Sequence, residues 1–116
     1  MNKIVKGLMI AGTLGASLMA FTRTADAKDK DGNIVIVIDP GHGGEDPGSL
    51  ATTGATESKC NYAIVEVMKK ELSKYDGVKV YLTREEDTWM TNMGRAMIAA
   101  DLNADFLISI HNNSGS

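Results

Sequence analysis

The chain has 116 residues, with 12 basic and 15 acidic side chains and a formal net charge of −3. That is room for one modest domain, and it leaves no excess of cations for gripping nucleic acid. The single cysteine, Cys60, excludes an internal disulfide, and a lone thiol at a helical position is expected as a small core residue rather than a nucleophile.

Met1 to Ala27 has the layout of a secretory leader: Lys3 and Lys6, an apolar stretch from Gly7 to Phe21, then Ala25-Asp26-Ala27 as a small-x-small cleavage site. As a membrane anchor this stretch falls short of the roughly 20 residues a span needs, and glycine and threonine dilute it. Export with cleavage is the expectation. Loss of Lys3, Lys6, Arg23 and Asp26 would remove a net +2 and leave residues 28–116 at −5.

Lys28 to Asn33 reads as an exposed lead-in. Ile34-Val35-Ile36-Val37-Ile38 follows, an unbroken β-branched run that reads as a strand buried on both faces, the habit of parallel sheets covered by helices. Pro40 and Gly41 end it, and His42 stands just past its carboxyl end among Gly41, Gly43 and Gly44. Those glycines fit neither the dinucleotide fingerprint nor the Walker pattern. Glu45 to Thr56 reads as a loop beside the presumed site.

From Ser58 to Tyr75 the spacing predicts a helix whose inner stripe is Cys60, Ile64, Val67, Met68, Leu72 and Tyr75, stopped by Asp76-Gly77. Val78 to Arg84 alternates as a second strand before the polar turn Glu85-Glu86-Asp87. A shorter helix over 92–102 is expected to turn Met93, Ala96, Met97 and Ala100 inward, and Phe106 to Ile110 forms a third strand that delivers His111. Strands alternating with helices predict an α/β fold: a mostly parallel sheet with helices on both faces. Three strands make a small sheet, which is expected to be incomplete at its C-terminal side.

The chain's two histidines each follow the carboxyl end of a strand read as parallel, so topology alone puts both on one edge of the sheet. Glu57 opens the first helix on that same edge. Two His and one Glu form a ligand set used for catalytic zinc, which leaves a fourth position for water and makes amide hydrolysis feasible. Other readings of the same residues stand beside this one. Either histidine can be a hydrogen-bonding loop residue, and Glu57 can complement the positive end of its helix, worth about 0.3–1 kcal/mol.

These residues resemble the zinc-dependent N-acetylmuramoyl-L-alanine amidases of the type 3 family. The matching stretches are Ile36 to Gly44 with Asp46-Pro47-Gly48, Glu57 at a helix start, Val80 to Arg84 with Asp87, Arg95, and Ala104-Asp105 through Ile108 to Asn113. The resemblance implies that His42, Glu57 and His111 bind Zn2+, and that the reaction cuts the amide between N-acetylmuramic acid and L-alanine in peptidoglycan. It implies a general-base glutamate that would lie beyond Ser116, so no catalytic residue is named within the chain. Ala100 stands where relatives often carry asparagine. The expected protein is a secreted monomer of the cell wall or periplasm, with residues 28–116 forming the N-terminal portion of a catalytic domain. The alternative is a truncated relative that holds metal or wall polymer without cutting it.

Overall fold

A computed structural model describes residues 29–113, together with the backbone of residues 16–22. Most of the leader expected over 1–27 therefore lies outside the described residues. Four strands and two helices run in the order β1 (Ala16–Thr22), β2 (Ile34–Pro40), α1 (Glu57–Leu72), β3 (Val78–Leu82), α2 (Asn92–Asp101) and β4 (Phe106–Asn112).

The sheet order is β1-β4-β2-β3. β2 pairs in parallel with β3 on one side and with β4 on the other, the latter with Asp39 opposite Ser109 and Pro40 opposite Ile110. This is the mostly parallel α/β sheet that the alternation of elements predicts. β1 was not foreseen: it adds antiparallel to the outer edge of β4 from within the apolar stretch read as a leader.

The α1 connection steps from β2 to β3, whereas the α2 connection returns past β2 to reach β4. Crossovers of one hand in opposite directions put the two helices on opposite faces. Side-chain alternation agrees. Ile38, Val65 and Ile110 form a core cluster against which Ile36, Tyr62, Met68, Leu72, Val80, Leu82 and Ile108 pack, so even-numbered β2 positions face α1. Asp39 and Ser109 point to the other face, where Arg95 of α2 reaches Asp39.

Both helices lie in the expected segments, yet both are rotated from the expected faces. In α1 the buried residues are Glu57, Ser58, Asn61 and Val65, with Met68 and Leu72 partly buried. Ile64, Val67 and Tyr75 are exposed, and so is Cys60, which is not the core residue that its surroundings suggest. The reason is polar. Asn61 donates to the Gly41 carbonyl and accepts from the Asn112 amide, and those bonds settle the inner face one position away from the apolar stripe. In α2 the buried residues are Arg95 and Ala99, while Met93 and Met97 stand out in solvent. Arg95 takes the inner face because a buried carboxylate receives it.

Candidate metal centre

β2 and β4 are central, parallel neighbours, and their carboxyl ends bring the two histidines to one edge. His42 sits two residues past β2 with φ +61°, a left-handed backbone that few residues other than glycine adopt. This turn swings its ring back toward the start of α1. His111 lies within β4, one residue from its end. Its ring occupies the space over Gly41, where an added Cβ would overlap it. Gly48, at φ +64°, is held open in the same way: a Cβ there would meet His42 and Glu57. The glycines thus make room for the three side chains, which their positions after a strand did not reveal.

Glu57 is the first residue of α1 and is 4% exposed. Its Oε2 accepts from the Ser49 N–H at 3.0 Å and its Oε1 from the Asn112 N–H at 3.0 Å. Burial alone would push this carboxyl up. The Ser49 and Asn112 donors and the neighbouring histidines outweigh burial and hold the pKa at about 2, so the group is a carboxylate at neutral pH.

Around that carboxylate the histidines close in from two sides. His42 Nε2 lies 3.2 Å from Oε2 and His111 Nδ1 lies 3.1 Å from Oε1. One donor atom from each of His42, Glu57 and His111 falls within 4.8 Å of the others. The rings meet edge to face with centroids 5.0 Å apart. Metal bonds of about 2.0–2.1 Å at tetrahedral angles separate ligand atoms by about 3.3 Å, and each histidine nitrogen stands at about that distance from one of the two Glu57 oxygens. The histidine side chains are 25% and 34% exposed, which leaves the cluster open on one side.

Several buried groups that motif reading alone gave no role hold this edge together. Asp39 accepts from Thr83 of the β3 end at 2.6 Å, from Ser109 of β4 at 2.8 Å and from Arg95 of α2 at 2.8 Å. Burial opposes its charge, but these three donors prevail and its pKa falls below the ordinary carboxylate value. Arg95 also donates to the carbonyls of Pro40, His42 and Met90. Arg84 donates to the carbonyls of Pro40, Gly41 and Ser58. The two guanidiniums therefore gather the carbonyls of the loop that carries His42. Beside the cluster a groove of about 700 Å³ runs past His42, His111, Trp89, Met90 and Leu107.

Fold and site together define an α/β protein with a side-chain group that could hold a metal ion, assembled from distant segments: two imidazoles and one carboxylate at the carboxyl edge of a parallel sheet. Residues 36–116 match the N-acetylmuramoyl-L-alanine amidase family, and the chain belongs to it. The chain is 39% identical over 83 residues to a sporulation-specific N-acetylmuramoyl-L-alanine amidase of Bacillus subtilis, a match covering 71% of this chain and 32% of that protein. It is 37% identical over 82 residues to the amidase AmiC of Escherichia coli, covering 71% and 20%. Among solved structures it resembles an N-acetylmuramoyl-L-alanine amidase from Clostridium difficile with TM-score 0.71 at 35% identity, covering 73% of this chain and 46% of that one. It likewise resembles the catalytic domain of CwlV from Bacillus (Paenibacillus) polymyxa, with TM-score 0.68 at 35% identity, covering 72% and 48%. The chain thus spans about a fifth to a third of these curated relatives and just under half of these solved chains.

Proposed function

We propose that this chain contributes the metal centre of a zinc-dependent amidase that hydrolyses the bond between N-acetylmuramic acid and L-alanine in peptidoglycan. The observation that carries this reading is the convergence of His42 Nε2 and His111 Nδ1 on the two oxygens of Glu57, in a member of an amidase family. His42, Glu57 and His111 are the residues that would hold the ion. Their two neutral nitrogens and single negative charge suit a centre that must stay electrophilic. When bound, zinc supplies the Lewis acidity that polarises an amide carbonyl and acidifies water.

The chain's own groups do the rest of the positioning. Ser49 and Asn112 keep Glu57 ionised and fixed, and Gly41 and Gly48 let the rings approach. The groove past Trp89 and Met90 offers a muramyl-peptide a bed beside the cluster. No residue of the chain is assigned the general-base step. Such an enzyme would work on the wall outside the cytoplasm. No helix among the described residues is long and apolar enough to cross a membrane.

The test is a digest of purified peptidoglycan followed by labelling of newly released L-alanine amino groups, run beside zinc analysis of the protein. New amino termini that disappear in His42→Ala and His111→Ala support the reading. Zinc binding and wall binding without new amino termini would favour the non-cutting relative instead.

A further inference from the structure

The two histidines at the cluster are held differently. His111 is fitted over Gly41 and presents Nδ1 to Glu57. His42 presents Nε2 to Glu57 and turns its other nitrogen, Nδ1, to a second carboxylate, Asp46 Oδ2, at 2.8 Å. The other oxygen of Asp46, Oδ1, accepts from the Gly48 N–H at 3.1 Å. Gly43 and Asp46 exchange two backbone hydrogen bonds of 2.8 and 3.0 Å, so the short loop between His42 and Asp46 closes on itself. Both oxygens of Asp46 are thereby engaged, Oδ2 by the His42 ring and Oδ1 by the Gly48 N–H.

From this geometry we infer that Asp46 is a positioning residue for the metal centre: it fixes the proton of His42 on Nδ1, so that the Nε2 lone pair is always the one offered to the ion. His42 faces a carboxylate at each nitrogen, but the two contacts differ: Nδ1 is hydrogen-bonded to Asp46 at 2.8 Å, whereas Nε2 meets Glu57 only as a longer ion-pair contact of 3.2 Å. A carboxylate only accepts, so on a neutral ring the hydrogen-bonded Nδ1 carries the proton and Nε2 keeps its lone pair. Without Asp46 a neutral imidazole can place its proton on Nε2, where Glu57 would accept it, and that tautomer opposes metal binding. The left-handed backbone at His42 makes this support the more necessary, since a strained residue keeps its conformation only when its surroundings over-determine it. Carboxylates that hold the far nitrogen of a ligating histidine commonly contribute about 10- to 100-fold in metal affinity. The inference rests on the metal reading above and not on the identity of the substrate.

Two measurements on the full chain decide it. The first is zinc affinity by chelator competition in wild type, Asp46→Ala, Asp46→Asn and His42→Ala. The second is the tautomer of His42 in the metal-free protein, read by nitrogen-15 NMR at a pH where the ring is neutral. We expect Asp46→Ala to lose about 10- to 100-fold in zinc affinity and to shift His42 away from the Nδ1–H form. Asp46→Asn keeps an accepting oxygen, so it should retain that tautomer and recover most of the affinity. An Asp46→Ala protein with wild-type zinc affinity and an unchanged His42 tautomer would overturn the inference. If wild type and His42→Ala bind zinc equally poorly, the metal reading fails, and the tautomer measurement still decides what Asp46 does to the ring.

Discussion

Asp39 and Arg95 meet at 2.8 Å beneath the loop that carries His42, one side chain from the end of β2 and the other from the buried face of α2. Both are almost fully buried, so each is the other's condition for being there. Breaking a buried ion pair from one side leaves an uncompensated charge, at a cost of about 3–5 kcal/mol. Arg95→Ala should therefore lower stability by about that amount, read from the midpoint of urea denaturation.

The same carboxylate sets an acid limit. Asp39 and Glu57 both have folded pKa values below their ordinary ones, Glu57 at about 2 against 4.5. Groups shifted down favour the folded state above their unfolded pKa values, and that contribution is lost as pH falls toward the folded values. Stability should hold from neutral pH to about 5 and then decline steadily toward about 2. In Asp39→Ala the decline should be shallower, because one of the two groups is gone.

Gly41 is a test of fit rather than of chemistry. A methyl group at this position overlaps the His111 ring, whereas the backbone there is not left-handed. Gly41→Ala should keep its circular dichroism spectrum while zinc affinity falls by at least about tenfold, since the ring must tilt away from Glu57.

Two valines in α1 report which face is buried. Val65 is fully buried and Val67 is 61% exposed. Val65→Ala should cost about 2 kcal/mol through lost burial and a residual cavity. Val67→Ala, the same chemical change, should stay within about 0.5 kcal/mol. The reverse order in thermal or urea melts, with Val67→Ala the costlier change, would mean that the helix sits as its apolar stripe alone suggests.

The order of elements from β2 onward, their parallel pairing and the edge on which the site forms were legible in the linear chain. Hydrophobic periodicity and chain handedness are local rules, and the β-branched run at Ile34 to Ile38 obeys them without ambiguity. His42, Glu57 and His111 could be nominated because parallel strands send their carboxyl ends to one edge. The helix faces could not be read, because Asn61 and Arg95 look like surface residues until their partners are known. Asn61 is inward only because the Gly41 carbonyl and Asn112 await it, and Arg95 only because Asp39 does.

What the amino-acid order determined alone was the framework and the names of the three converging side chains. Tertiary structure decided their distances, the tie from Asp46 to His42, the room made by Gly41 and Gly48, and the addition of β1 to the edge of β4. The physical reason is range. Periodicity and turn chemistry act between neighbours in sequence, whereas a buried polar group is admitted only by a partner that the completed fold brings to it from tens of residues away.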